Sequence, residues 1–485
     1  MPTNTLNPIY AGRTYTEYMT YNAYNLSRTP SVGNAKILVI PIWLTDSKNY
    51  IAVENKDTIR NDIANAYFGT NEETGWRSVK SYYEEESQGR LTLDGTVSEW
   101  YTDTNSSSTY GPESSGLQKT TELVSKATKW YFDNHGSESK RDYDCDGDGY
   151  LDGVMLIYGA PNYSHLTNGN SKKNLWAYCY WLQDTSVKNR FNPGANAFFW
   201  ASFDFMFGSN IMASHCGISS SYKYASGDTA HMNIDAHTFI HEMGHMFGLN
   251  DYYDYSGQYV PAGGFSMQDQ NVGGHDPFSS FALGWGQAYV PTESVTIYLK
   301  PFTQSGEMII LSPSWNSYNS AFDEYLVLEY YTADGLNDLD STYNYCNVSP
   351  TGSRQSGIRL WHVDARLAVF KGYDTSGDPI FEYANTTNPS SAAGGVTLLM
   401  SNTYEGDYAD YHQLQLIRNK KTTSYNSQTK FKAEHLFKQY DTFTMSDYSK
   451  QFVNSTKLNN NKSLGYSFTV ETIRDEYAQI TITKA

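Results

Sequence analysis

One stretch, Asp235–Asp254 (DAHTFIHEMGHMFGLNDYYD), constrains the fold more than any other part of this chain of 485 residues. It contains the pattern His-Glu-x-x-His at positions 241–245. On an α-helix, residues four positions apart lie one turn apart on the same side, so His241 and His245 can bind one metal ion between them. The apolar residues of the segment fall on the opposite side. The sequence therefore predicts a helix that buries one face and turns its histidines toward a cleft.

The ends of this helix are also indicated by the sequence. Asp235 is a residue type that favours the N-cap position, and Gly248 suits the left-handed turn that ends many helices. A sharp turn at Gly248 would bring Asp251 back toward the histidines as a third ligand. Asp269 and Asp254 are rival candidates for that third position.

The chemistry of zinc hydrolases explains this choice of residues. A catalytic Zn²⁺ takes three protein ligands and leaves one position for water, whose pKa it lowers while it polarises the scissile carbonyl. Glu242, beside the metal but not on it, is placed to accept the proton of the water and pass it to the leaving amine. Three residues are therefore predicted to bind zinc: His241, His245 and Asp251.

Other histidines and two tyrosines are weaker candidates. His237 lies four residues before His241, but zinc sites of this type pair a helical His–His with a residue after the turn, so we expect His237 to line the site. Three further histidines show no ligand spacing and are expected to be ordinary core or surface residues: His165, His215 and His231. His362, in the run WHVD, is likewise predicted to be structural. Tyr253 or Tyr255 is a candidate to help zinc stabilise the oxyanion.

A second candidate metal site lies in the acidic segment Asp142–Asp152 (DYDCDGDGYLD). Its alternating oxygen donors match the first nine positions of a calcium loop, and clustered carboxylates repel one another unless a cation lies among them. The predicted calcium ligands are Asp144, Asp146, Asp148, Tyr150 and Asp152. The twelfth position is Met155 rather than Glu and a strand follows directly, so a helix–loop–helix is excluded. The alternative is an exposed acidic turn.

Several segments of the chain resemble those of a known family. The run HEMGHMFGLNDYYD is similar to the active-site segment of the immune inhibitor A family of secreted bacterial metalloproteases, which are metzincin-like zinc peptidases. Three other segments are similar to that family in the same order: Ser78–Thr102, Asp142–Ala160 and Glu324–Asp364. The resemblance extends from about Lys36 to Asp364. Asn250 departs from the family, which usually has Pro there, and Met267 resembles the methionine that lies beneath the zinc ligands on a tight turn.

This resemblance implies an α+β fold: a zincin/metzincin-like catalytic domain with a mixed sheet and an active-site helix, followed by a C-terminal domain. From about Val290 the apolar residues alternate with a period of two, which predicts a β-sandwich-like C-terminal domain. The predicted division is an N-terminal arm (1–35), a zinc peptidase domain (36–290) and a β-rich domain (291–485).

Composition restricts the partners and the location. With 35 basic and 52 acidic residues the net charge is −17, which argues against nucleic acid or an anionic membrane as a partner. The longest apolar run, Ile37–Leu44, is too short to span a bilayer. The 42 tyrosines and only 18% charged residues are typical of an extracellular chain. A secreted or cell-surface location is expected, although the N-terminus has no signal-peptide pattern.

The cysteines give little further guidance. Four widely spaced cysteines allow three disulfide pairings or none: Cys145, Cys179, Cys216 and Cys346. Cys145, inside the acidic segment, is expected to be a free thiol.

The preferred hypothesis is a secreted, zinc-dependent endopeptidase acting on protein or peptide substrates. The alternative is a surface adhesion or glycan-binding protein in which the zinc domain is only a scaffold. It draws on the 15% aromatic content and on the β-rich C-terminal third. The two hypotheses can also be combined, with the C-terminal domain contacting a matrix glycoprotein or glycan.

Overall fold

The computed structural model of the chain describes residues 2–15, 27–74, 76–182, 185–207, 234–342, 352–373, 375, 379–384, 387, 396–403 and 409–485. The expectations for His215, His231, Cys216 and Cys346 lie outside these residues. The chain divides into two compact units. The N-terminal unit comprises residues 25–85 and 89–248, and the C-terminal unit comprises residues 1–24, 86–88 and 249–485. The domain division at residues 35 and 290 stays a prediction.

The described residues form several sheets and helices, which confirms the expected mixture of both. The strands are β1 (Ile9–Tyr10), β2 (Gly33–Trp43), β3 (Leu91–Val97), β4 (Tyr101–Thr102), β5 (Val154–Tyr158), β6 (Tyr178–Trp181), β7 (Ala197–Ser202), β8 (Gln287–Tyr289), β9 (Val295–Leu299), β10 (Glu307–Leu311), β11 (Glu324–Tyr331), β12 (Gly357–Asp364), β13 (Leu367–Tyr373), β14 (Pro379–Tyr383), β15 (Val396–Leu398), β16 (Leu414–Ile417), β17 (Thr442–Phe443), β18 (Tyr466–Arg474) and β19 (Tyr477–Lys484). The α-helices are α1 (Lys56–Phe68), α2 (Asn71–Thr74), α3 (Val79–Glu86), α4 (Ser107–Tyr110), α5 (Glu113–Asn134), α6 (His237–Phe247), α7 (Pro277–Ala282), α8 (Phe302–Ser305) and α9 (Asp338–Thr342). None of the described helices is both long and apolar enough to cross a membrane.

The N-terminal unit is built on one mixed sheet with the strand order β3-β2-β5-β7-β6 and with β4 also paired to β2. Strands β3, β2, β5 and β7 run parallel, whereas β6 pairs antiparallel with β7. The central strands β5 and β7 are buried at every residue. Such continuous apolar runs are expected for parallel strands that are covered on both faces.

Helix α5 covers part of this sheet. Leu123, Val124, Ala127 and Tyr131 lie along one face of the helix and join the buried core that the sheet strands form. Their spacing of three and four residues is that of a helix with one apolar stripe. This core stabilises the sheet, and strands β6 and β7 of the same sheet contact the HExxH helix, α6.

The C-terminal unit contains three sheets. A six-stranded sheet has the order β1-β8-β10-β11-β12-β16, and a four-stranded sheet has the order β17-β18-β19-β9. A three-stranded sheet, β14-β13-β15, makes up the third. One hydrophobic core contains side chains from both larger sheets, for example Leu326 and Leu360 from the first and Phe468 and Ile480 from the second. Two sheets that share one core bury each other's apolar faces.

Candidate metal centre

Helix α6 carries the HExxH residues and differs from its prediction by one residue at its start. It spans His237–Phe247 with Ala236 at the N-cap, so the expectation that Asp235 is the N-cap was wrong. Asp235 still accepts a hydrogen bond from the backbone N–H of His237, at 2.7 Å, and so satisfies one of the exposed donors of the first turn. Gly248 ends the helix with φ of 115°, a left-handed conformation that glycine adopts without steric cost.

Three donors from outside the helix bind its backbone carbonyls within the N-terminal unit. The hydroxyl of Tyr83 donates to the carbonyl of Ile240 at 2.7 Å, and the thiol of Cys179 donates to that of Glu242 at 3.0 Å. The backbone N–H of Thr29 donates to the carbonyl of Met246 at 3.0 Å. Consecutive turns of the helix are therefore held by separate parts of the chain.

Thr29 also joins the helix to the end of the acidic segment. It is fully buried, and its hydroxyl donates to the backbone carbonyl of Asp152 at 2.6 Å. The carboxylate of Asp152 in turn accepts hydrogen bonds from the backbone N–H groups of Lys36 and Cys145. A continuous set of hydrogen bonds thus runs from the acidic segment to the last turn of α6.

The structure brings together the three residues that the sequence singled out as zinc ligands. Each of His241, His245 and Asp251 is half-buried and offers one ligand atom, and these atoms lie within 4.8 Å of one another. The two imidazole rings lie with their centroids 5.0 Å apart, almost perpendicular to each other. Two nitrogens and one carboxylate oxygen thus converge within one continuous segment of 11 residues.

This donor set fits a zinc ion. Zn–N and Zn–O bonds of about 2.0–2.2 Å with tetrahedral angles place neighbouring ligand atoms roughly 3.4 Å apart. Donor atoms that already lie within 4.8 Å of one another need only small side-chain rotations to reach that spacing. A set of two imidazoles and one carboxylate is typical of catalytic zinc sites, which keep the fourth position for water.

Glu242 lies beside these ligands in a protected environment. It is 6% exposed and belongs to the same helix as the two histidines. Tyr67, on α1, is fully buried, and its pKa is raised well above 10 mainly by burial and further by its electrostatic interactions with Cys179 and Glu242. Its ring stacks on Phe239 of α6, with centroids 5.3 Å apart. Glu242 is therefore almost fully buried, and the neutral phenol of Tyr67 lies near enough to interact with it electrostatically.

The rival third ligands are used elsewhere. The carboxylate of Asp254 accepts hydrogen bonds from the backbone N–H groups of Ser256, Gln258 and Tyr259, which closes a turn. Asp269 accepts a hydrogen bond from the backbone N–H of Gly264 at 2.9 Å. Within the described part of the chain, neither belongs to a cluster of potential metal ligands, and the same is true of His237.

Two other histidines are paired with buried carboxylates. Nδ1 of His165 lies 3.0 Å from the carboxylate of Asp204, and this hydrogen bond raises the histidine pKa. Nε2 of His362 lies 2.9 Å from Oε1 of Glu324, and both side chains are buried. These pairs account for both residues without a metal. Met267 is fully buried, in a turn of the C-terminal unit.

The acidic segment forms a second cluster. Asp144, Asp146 and Asp152 each offer a carboxylate oxygen, and these atoms lie within 4.8 Å of one another. Asp148 lies outside this group, and its Oδ1 accepts a hydrogen bond from the backbone N–H of Tyr150 at 2.7 Å. Sequence reasoning therefore expected five donors in a site where three carboxylates converge.

The electrostatics of this segment are unfavourable for bare carboxylates. Burial, followed by the negative charge of Asp146, raises the pKa of Asp148 to about 7. Burial likewise raises the pKa of Asp152 to about 7. The thiol of Cys145 is free, as expected, and burial followed by the charge of Asp152 raises its pKa to about 12. A bound cation would offset the repulsion between these carboxylates and favour their charged forms.

Sequence reasoning missed the residues that hold the helix from outside, since no local pattern marks Tyr83, Cys179 or Thr29.

Comparison with known families is consistent with the geometry. The model of the immune inhibitor A peptidase M6 catalytic domain matches residues 26–271, a range that contains α6, Asp251 and the acidic segment. Comparison with curated proteins gave no match. Because the family match covers slightly more than half of the 485 residues, the chain belongs to the immune inhibitor A (M6) peptidase family and is a metallopeptidase.

Proposed function

We propose that the protein is a secreted zinc-dependent endopeptidase that hydrolyses internal peptide bonds of proteins. The observation that carries this proposal is the convergence of the ligand atoms of His241, His245 and Asp251 within 4.8 Å, with Glu242 next to the first histidine on the same helix. Membership of a metallopeptidase family supports a protein or peptide substrate. The extracellular habit of that family supports secretion.

The roles of the residues follow from their positions. His241, His245 and Asp251 would hold the zinc, which when bound polarises the scissile carbonyl and lowers the pKa of a water molecule. Glu242 takes one proton from the attacking water as the new C–O bond forms. It then delivers that proton to the amide nitrogen, so that the C–N bond breaks and a neutral amine leaves.

Zinc removal and replacement test this proposal. Casein cleavage should stop when a chelator removes the metal and should return when zinc is added. Asp251→Ala should weaken zinc binding far more than Asp254→Ala does, because the carboxylate of Asp254 accepts hydrogen bonds from a turn and lies outside the ligand cluster. Cleavage that persists in metal-free protein would contradict the proposal. A scaffold for glycan binding would hold zinc without cleaving casein, and the family match favours the peptidase.

We also propose that the acidic segment binds a calcium ion through Asp144, Asp146 and Asp152, with Asp148 and the backbone of Tyr150 close by. Support comes from the convergence of three carboxylates and from the raised pKa values of Asp148 and Asp152. Calcium prefers six to eight oxygen ligands, and water would complete the set. The role would be structural, since hydrogen bonds through Thr29 connect this segment to α6.

The larger architecture is a further part of the proposal. We infer a zincin-like catalytic domain over 36–290 and a β-sandwich-like domain over 291–485, with residues 1–35 as an arm. The core shared by the two larger sheets of the C-terminal unit supports the sandwich. Contact between this domain and a glycan or matrix component is a prediction that binding assays with the full chain would test.

A further inference from the structure

The third candidate ligand, Asp251, lies in a turn rather than on the helix. The residues on both sides of Asp251 are held within the C-terminal unit: the side-chain amide of Asn250 donates to Gln413 at 2.8 Å, and the backbone N–H of Tyr252 donates to the carbonyl of Gln268 at 2.8 Å. These contacts set where the Asp251 side chain begins. They do not set the rotation of its carboxylate, which has to be controlled by a contact to the carboxylate itself.

Such a contact is present four residues further along the chain. The hydroxyl of Tyr255 donates a hydrogen bond to Oδ2 of Asp251. Coordination by one oxygen leaves the other oxygen of a carboxylate able to accept a hydrogen bond, so both interactions fit on one carboxylate. Hydrogen bonds of this kind, made to residues that bind a metal, hold the ligand in its binding orientation.

The ring of Tyr255 is itself supported. It packs edge-to-face against Tyr253, with centroids 5.2 Å apart and an angle of 70° between the rings. Its side chain is otherwise 66% exposed, so it contributes little to the buried core.

We propose that Tyr255 is a positioning residue that orients Asp251 for zinc, and not the residue that stabilises the oxyanion. The inference rests on the proposed zinc site. The hydroxyl of Tyr255 donates its proton to the carboxylate of Asp251. A residue that stabilises the oxyanion has to donate to the carbonyl oxygen of the substrate instead. Loss of the Tyr255 hydroxyl should therefore lower the affinity for zinc. Turnover should fall mainly because a smaller fraction of the protein holds zinc.

The test compares Tyr255→Phe with Tyr253→Phe in the full-length chain. Both variants lose one hydroxyl and keep the aromatic pair, so Tyr253→Phe is a matched control for zinc affinity and melting; its kcat is not used as a control, because Tyr253 is the other oxyanion candidate. The dissociation constant for zinc is measured by competition with a chromogenic chelator. Both kcat and KM are measured at saturating zinc. Thermal melting is measured on the metal-free proteins. For Tyr255→Phe we expect zinc binding to weaken about 10-fold, at the lower end of the effect of such contacts because the side chain of Tyr255 is largely exposed. At saturating zinc, kcat should fall by much less than the zinc affinity does, and the metal-free protein should melt at the temperature of the wild type.

Other results would overturn the inference. Unchanged zinc affinity with a large loss of kcat at saturating zinc would assign Tyr255 to the oxyanion instead. An equal loss of affinity in Tyr253→Phe, or a drop in the melting temperature of metal-free Tyr255→Phe, would indicate a general effect on the loop. The variant Asp251→Ala distinguishes a wrong positioning role for Tyr255 from a wrong zinc site. If Asp251→Ala binds zinc as well as the wild type, the proposed site is wrong, whereas a loss in Asp251→Ala with none in Tyr255→Phe refutes only the positioning role.

Discussion

Replacing Thr29 with valine tests whether the catalytic helix depends on the acidic segment for its position. The substitution keeps the shape of the side chain and removes the hydroxyl that donates to the carbonyl of Asp152 at 2.6 Å. The residue is completely buried, so water cannot take the place of the lost donor. Its backbone N–H, which binds the carbonyl of Met246, is unchanged, so any effect on α6 has to pass through a shift of residue 29.

The magnitude follows from the loss of one buried hydrogen bond. Leaving a buried acceptor without its donor costs about 1–3 kcal/mol, and the additional methyl group returns up to about 0.8 kcal/mol. A net loss of about 1.5 kcal/mol in the free energy of unfolding lowers the melting temperature by about 3–6 °C for a unit of this size. Hydrogen exchange should also become faster at the amides of the last turn of α6, near His245 and Gly248.

Thr74→Val is the matched control. Thr74 is also buried, but its hydroxyl donates to the carbonyl of Thr70 within the same short helical segment, at 3.3 Å. Thermal melting and hydrogen exchange followed by mass spectrometry are measured on metal-free proteins. The reasoning is refuted if Thr29→Val leaves exchange in the last turn of α6 as slow as Thr74→Val does.

Two further predictions concern acidic groups. Burial raises the pKa of Asp340 to about 7, so the stability that the protonated group provides is complete below the unfolded pKa near 4 and is lost as the pH rises through 7. Asp340→Asn should accordingly gain stability relative to the wild type, by up to a few kcal/mol, between pH 4 and 8 in urea unfolding, and a pH-independent difference would refute this. Calcium should raise the melting temperature of the wild type by several degrees if it binds the folded state at about 100 times its dissociation constant. Asp146→Asn should lose most of that gain while Asp142→Asn, an exposed residue of the same segment, keeps it, and equal gains in both variants would count against the site.

Local patterns in the sequence predicted the parts of the fold that local forces determine. The spacing of His241 and His245, and Gly248 after them, identified α6 and its end. The apolar run Ala35–Leu44 identified the buried central strand, observed as Gly33–Trp43. The start of α6 was displaced by one residue because Asp235 binds the first helical N–H from outside the N-cap position.

Contacts between distant segments were beyond such patterns. The segment Arg90–Tyr101 was expected to form a strand or hairpin, and it forms β3, parallel to β2 with Leu91 opposite Gly33. That pairing depends on a partner some sixty residues away. Cys179 and Thr29 hold α6 from positions 63 and more residues away, and nothing near them in the sequence indicates this role. The hydrogen bond between Tyr255 and Asp251 is local. The sequence alone, however, is equally compatible with an oxyanion role for Tyr255, because it does not show where the hydroxyl points.

The most direct test of the central claim is the rate of casein cleavage by zinc-loaded Glu242→Gln. The change keeps the size of the side chain and removes its ability to accept a proton, while the predicted zinc ligands remain. The account predicts zinc bound with the affinity of the wild type and a rate lower by about 10²–10⁴-fold. Full cleavage activity by the zinc-loaded variant would show that Glu242 does not handle the proton, and would contradict the mechanism.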